Sequence, residues 1–275
     1  MLKWRIIIGA ILAPAVLAMV WLLPEGIVAG AFACLALVVT FEWGGLLGLS
    51  GASRVTHVVA TAVALAGSAW LIIADHLPLT GVVVAAAAVW LIPLAQLVLR
   101  GWDWRIRLRP AWASLLAVLL VVASWLSLAA PLLLGDREAY WLTALFIMVW
   151  GSDIGGYFAG RASGRRPLAP SISPSKTWEG CLGGILLALA LTAALIGGLA
   201  GLGAFAGAVP WHHLMLVPPV VAAAIAGDLF ESLLKRDAGV KDSGRILAGH
   251  GGALDRLDAL LMAAPVYALL SVGIL

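Results

Sequence analysis

The sequence predicts an all-α, polytopic integral membrane protein of about nine transmembrane helices, with the N-terminus in the cytoplasm and the C-terminus outside. Three observations predict it. Composition comes first: 63% of the 275 residues are hydrophobic and 11% are charged, against roughly 45–50% and about 25% in a soluble domain. Lipid must therefore be the solvent for most of this chain. The second observation is division into apolar runs near the ~20 residues that cross a ~30 Å hydrocarbon core. The third is the placement of positive charge between those runs.

The runs lie at 6–23, 27–41, 58–73, 82–99, 112–134, 140–158, 180–199, 215–234 and 257–275. The first follows Lys3 and Arg5, as a secretory signal would. It outlasts the about 7–15 apolar residues of a cleaved signal, so it reads as a retained helix. The alternating polarity that a membrane β-barrel needs is absent. With the N-terminus inside and the sides alternating, every Lys and Arg falls on the cytoplasmic side except Arg137. One span more or fewer partway along would scramble that asymmetry.

Trp4, Trp21, Trp43, Trp102, Trp104, Trp178 and Trp211 lie near predicted span ends, where interfacial anchors are expected. The basic stretch 100–109, with Trp102 and Trp104 interleaved, reads as a cytoplasmic strip drawn to anionic headgroups. Cys34 and Cys181 stand singly in apolar runs, which argues against a disulfide framework or a zinc site. The basic residues occupy short loops rather than a soluble face, so no nucleic-acid partner is expected.

The chain divides by function into residues 1–138, read as scaffold helices, and 139–275, read as the catalytic part. The acidic residues of the first part are Glu25, Glu42, Asp75, Asp103, Asp136 and Glu138. Each falls at a span end or in a loop, where solvation accounts for it. Beyond them two polar clusters gather, both on the cytoplasmic side.

The first cluster runs over 227–258, GDLFESLLKRDAGVKDSGRILAGHGGALDRLD. Asp228, Glu231, Ser232 and Lys235 are spaced i, i+3, i+4, i+7, so one face of the eighth helix is polar. A carboxylate within an apolar span needs a cation, a proton or a partner. Asp255 and Asp258 share one side of the first turn of the ninth helix. Hard cations take oxygen ligands, and Mg²⁺ typically bridges one or two carboxylates to substrate phosphates. Asp228, Asp255 and Asp258 are thus the predicted metal ligands. Lys235, Arg236, Lys241, Arg245, His250 and Arg256 supply cationic groups for a polyphosphate.

The second cluster runs over 152–180, SDIGGYFAGRASGRRPLAPSISPSKTWEG. Asp153 falls late in the sixth span, and a Ser-, Pro- and Gly-rich loop follows with Arg161, Arg165, Arg166 and Lys176. Ser173, Lys176 and Thr177 precede the seventh helix, and hydroxyls with an ammonium at a helix N-terminus suit a phosphate. The loop lacks the GxxxxGK[ST] pattern of a P-loop.

The order Ser232-Leu233-Leu234-Lys235-Arg236, Lys241-Asp242, His250-Gly251-Gly252 and Asp255-Arg256-Leu257-Asp258 resembles the C-terminal signature of the phosphatidate cytidylyltransferase (CDP-diacylglycerol synthase) family. SPSKTWEG, with Asp153 and Gly156-Tyr157 upstream, is similar to that family's second motif. Ala248 stands where Pro or Gly is usual, Ala253 where a larger aliphatic is usual, and Ser175 where Lys is common. These departures touch loop shape more than ligand chemistry.

The resemblance implies an all-helical membrane fold with a polar cavity open to cytoplasm and lipid. It implies transfer of the cytidylyl group of CTP to phosphatidic acid, releasing pyrophosphate. On that analogy Asp228 and Asp255, with Asp258 next, hold Mg²⁺, with K⁺ as a second cation. Lys235, Arg236, Lys241, Lys176 and Arg256 would contact the triphosphate or the lipid headgroup. Ser173 and Thr177 would help bind phosphate, and His250 would serve the glycine-bounded loop or the leaving group. The expected partners are CTP, phosphatidic acid and membrane lipids, with room for a homodimer, in a cell inner membrane with the site facing the cytoplasm. A CTP-dependent transferase or kinase acting on another lipid would share the same triphosphate residues. An ion-coupled transporter is disfavoured, because its halves would resemble each other and its polar groups would sit near the midplane.

Overall fold

Each predicted apolar run forms an α-helix in the computed structural model, which describes residues 2–74, 76–100, 110–133, 139–205, 209–244 and 251–274. The helices are α1 (Leu2–Leu22), α2 (Glu25–Leu46), α3 (Gly51–Ile73), α4 (Leu79–Arg100) and α5 (Pro110–Leu133), then α6 (Ala139–Ser163), α7 (Trp178–Gly201), α8 (Val217–Asp237) and α9 (Leu254–Ile274). A 3-10 stretch, Trp211–Leu216, leads into α8. Among the described residues, six helices are long and apolar enough to cross a membrane by length and composition. Prolines inside α1, α4, α5 and α9 are tolerated because neighbouring helices re-satisfy the freed backbone groups.

α5 is the central post. Of its most apolar stretch 72% is buried, against 22% for α3 and for α7, and α2, α3, α4 and α9 pack around it. The outward faces of the peripheral helices carry Val63, Ile73, Leu182 and Leu186, each more than half exposed. That is the surface a lipid-solvated protein needs. One continuous core runs from Val20 on α1 to Ala268 on α9, so the first five helices and the last four share it.

Two seams position the polar residues. α6 and α7 meet through small residues: a Cβ on Gly155 would lie 2.5 Å from Gly183 O, and one on Gly184 would lie 2.7 Å from Ser152 O. Such residues let backbones approach where no hydrophobic force joins helices in lipid. α8 is braced from the first half by Trp43 of α2 and Trp90 of α4, whose rings each stand 6.1 Å from Phe230. Trp43 is only 3% exposed, which corrects the interfacial role expected for it. Proximity to a span end does not fix which way a ring faces.

The segment expected to be a plain loop contains an antiparallel hairpin, β1 (Pro167–Ala169) and β2 (Ser173–Thr177), pairing Pro167 with Thr177 and Ala169 with Ser173. A hairpin this short is marginal alone. It is held because Leu168, Ala169 and Ile172 pack onto Leu229 and Leu233 of α8.

Candidate active site

Three elements converge at one end of the bundle: β2, the C-terminal half of α8 and the first turn of α9. α8 stops where it does because Gly239 takes a φ of 70°, which glycine adopts without a Cβ penalty. The amide of Val240 then donates to Lys235 O at 2.9 Å and that of Gly239 to Arg236 O at 3.1 Å, a Schellman closure. Lys235 therefore sits in the last turn, with its ammonium free to turn inward toward α9.

Three ion pairs, made by two lysines, organise the site. Lys176 of β2 pairs with Asp228 of α8, their side chains 24% and 28% exposed. Lys235 pairs with Glu231 one turn back on α8 and reaches Asp255 Oδ1 of α9 at 2.7 Å. Glu231 is 2% exposed, so its charge depends on that ammonium. The other oxygen of Asp255 accepts from Gly252 N at 2.8 Å, Ser243 N at 2.9 Å and Ser243 Oγ at 2.9 Å. Asp255 thus ties α8, the residues after α8 and the head of α9 together.

Asp258 lies one turn deeper, within charge–charge range of Asp228, Glu231 and Asp153. Asp153 of α6 in turn feels Asp228 and Lys176. Gly227 allows this closeness: a Cβ there would stand 2.5 Å from Asp258 O and 3.1 Å from Met262 Cβ. Ser232 Oγ donates to Asp228 Oδ1 at 3.3 Å, and Arg236 Nε to Ile172 O at 3.4 Å, which fastens the hairpin to α8.

Of the residues predicted for the site, Asp228, Asp255, Asp258, Lys235 and Lys176 are brought together. Lys241 and Arg256 are exposed beside them, two residues before Ser243 and one after Asp255. Ser173 is half-buried in β2. Thr177 caps α7, its Oγ1 accepting from Gly180 N at 3.1 Å, and its side chain lies against Gly160 and Gly164. His250 and Arg245 lie outside the described residues. Four participants were not predicted as site residues: Asp153, Glu231, Ser243 and Glu42. The i, i+4 spacing of Glu231 and Lys235 on α8 signalled their pairing, whereas nothing local pointed to Ser243.

Glu42 requires a correction. Its expected solvated position is overturned: it is 1% exposed, and its Oε2 accepts from Leu254 N at 2.8 Å. The helix continues to Leu46, beyond the apolar run, and carries the carboxylate inward rather than to the surface.

The donor set is all oxygen. Asp153, Asp228, Glu231, Asp255 and Asp258 outnumber the ammonium groups of Lys176 and Lys235 that reach them, which is the chemistry of a hard-cation site. Among the described residues no three His, Cys, Asp or Glu side chains form a ready-made metal cage. Mg²⁺ does not need one, since it usually takes one or two carboxylates and keeps several waters. The residues fit such an ion, with Asp228 and Asp258 the less committed ligands. Asp255 would have to give up Lys235 to join them.

The sequence matches the family model of the cytidylyltransferase family over residues 3–272. The chain is 38% identical to a phosphatidate cytidylyltransferase of Pseudomonas aeruginosa, in an alignment covering 98% of this chain and 97% of that one. It is 35% identical to the protein of that name from Brucella suis over 96% and 90%. A match to the Haemophilus influenzae protein of that name is 45% identical over 46% of this chain and 43% of that one.

Proposed function

This chain belongs to the cytidylyltransferase family, and from that premise we propose that it transfers the cytidylyl group of CTP to phosphatidic acid, giving CDP-diacylglycerol and pyrophosphate. The reading places the reaction at the cytoplasmic face of a cell inner membrane, where the charge asymmetry of the loops puts the site. The observation that carries it is the pairing of Lys176 with Asp228 and of Lys235 with Asp255, across β2, α8 and α9. Two ammonium groups and a surplus of carboxylates at the mouth of a helical bundle suit a polyphosphate and its counter-cation.

In the reaction an oxygen of the phosphatidate phosphate attacks the α-phosphorus of CTP. The bond from that phosphorus to the bridging oxygen breaks, and pyrophosphate leaves with the electron pair. No covalent enzyme intermediate is required, so the protein contributes position and charge. Lys176 and Lys235 already neutralise aspartates, and arriving phosphate oxygens compete for the same ammonium protons. The exposed side chains of Arg236, Lys241 and Arg256 add donors at the rim. On this reading the hydroxyls of Ser173 and Thr177, both on β2, would help bind phosphate. Bound Mg²⁺ would be held by Asp228 and Asp258, with Asp255 behind them, and would supply further neutralisation of the phosphates.

Incorporation of labelled CTP by the purified chain in detergent, with each lipid in turn and with or without Mg²⁺, tests the proposal. Labelled CDP-diacylglycerol formed only with phosphatidic acid and Mg²⁺ is the expected result. Product formed instead with another phospholipid or a polyprenol would replace the lipid substrate. No consumption of CTP with any lipid would overturn the reading.

A further inference from the structure

Glu42 lies in the second helix, more than two hundred positions from the residues it touches, and it touches the head of the helix that carries Asp255 and Asp258. Its Oε2 accepts from Leu254 N at 2.8 Å and stands 3.4 Å from Ser243 Oγ. That same hydroxyl is 2.9 Å from Asp255 Oδ2, so its single proton serves one carboxylate while it stands beside the other. Between them, Glu42 and Asp255 collect the amides of Ser243, Gly252 and Leu254. The last two head α9, where a helix leaves its N–H groups without internal partners.

The backbone closes directly onto the carboxylate. A Cβ on Gly244 would lie 2.2 Å from Glu42 Oε1, and one on Gly252 would lie 2.3 Å from Oε2. Among the described residues Oε1 has no hydrogen-bond partner. A buried carboxylate costs far more than an apolar side chain of the same size, so Glu42 does not serve core packing. Its contribution is to the geometry of the segment it grips.

We propose that Glu42 is a positioning residue for the cytidylyl-transfer site: a carboxylate from the first half of the chain that holds the segments 243–244 and 251–254 so that Asp255 faces Lys235. It acts through Asp255 and does not itself touch substrate. The inference rests on the proposed activity for its kinetic readout only.

The experiment uses the full chain in detergent, with the exposed Glu25→Gln, at the other end of α2, as an unchanged control. Glu42→Ala lowers kcat per folded protein by about 10- to 100-fold, the scale of a misplaced catalytic group, while KM for CTP moves by less than about threefold. Glu42→Gln keeps an acceptor oxygen for the Leu254 amide and recovers most of the rate. Glu42→Asp falls one methylene short and does not. Gly244→Ala, whose Cβ would have its three nearest contacts on Glu42, reproduces the loss, and in the Glu42→Ala background it costs little more.

Three results would overturn the inference: a normal kcat in Glu42→Ala, equal losses in Gln and Ala that track the unfolded fraction, or additive losses with Gly244→Ala. Should the unmodified chain make no CDP-diacylglycerol, the proposed activity fails first. Amide exchange at Gly252 and Leu254 then decides for Glu42: faster exchange in Glu42→Ala with α6 and α7 unchanged supports it, and unchanged exchange refutes it.

Discussion

Lys176 and Lys235 each neutralise an aspartate across two elements, and they do so in different surroundings. Lys176 reaches Asp228 from a short hairpin, with about a quarter of each side chain exposed. Lys235 is 15% exposed and sits between Asp255 at 12% and Glu231 at 3%, and Asp255 is further fixed by three donors. The first pair can exchange partners at little cost. The second is a built part of the bundle, because a buried carboxylate left without its cation is strongly unfavourable. One lysine is placed to follow a ligand, and the other to keep two helices in register.

The comparison is broken most severely by removing the aspartates themselves. Asp228→Asn and Asp255→Asn should each lower turnover at least about 100-fold, as loss of a charge-stabilising group does, while membrane insertion is unchanged. Retained activity in both would sink the site. Lys235→Met comes next and separates the two lysines. It strands Glu231 and Asp255, so thermal unfolding in detergent should show a loss of about 3–5 kcal/mol alongside lost activity. Lys176→Met should lower activity but cost only about 0–1 kcal/mol of stability. Equal stability losses for the two lysines would abolish the distinction. Gly227→Ala pushes α8 from α9 at Asp258 and should cost about 1–3 kcal/mol, with turnover falling alongside. Arg137→Ala, outside the described residues and expected on the opposite face from the charge asymmetry of the sequence, should leave both readouts nearly unchanged.

The helices were legible because each apolar run is long and its charges lie between runs. Among the described residues each predicted apolar run coincides with a helix, with ends displaced by up to about seven residues, and six of these helices are long and apolar enough to cross a membrane. The polar face of α8 was legible too, since Asp228, Glu231, Ser232 and Lys235 repeat at helical spacing. The hairpin was not, because strands this short gain their stability from α8, a partner far along the chain. Glu42 was missed for a related reason. Its neighbours are Ser243 and Leu254, and an acid at the end of an apolar run looks the same whether its helix stops there or carries it inward. The small residues of the α6–α7 seam, Gly151 and Gly155 with Gly180 and Gly184, recur at the four-residue spacing that marks close helix packing in lipid.

Phe230, clasped by Trp43 and Trp90, bears on what can be cut or transplanted. The residues with recognisable chemistry all lie after position 138, which invites the idea of a portable catalytic module. Yet the ring one step from Glu231 rests on two tryptophans from before that point. A fragment beginning at residue 139 would carry every familiar motif and leave that ring without the two tryptophans that pack against it. Co-expressed halves could reassemble in the bilayer, but the second half grafted onto a foreign set of spans would have to be given those two rings again.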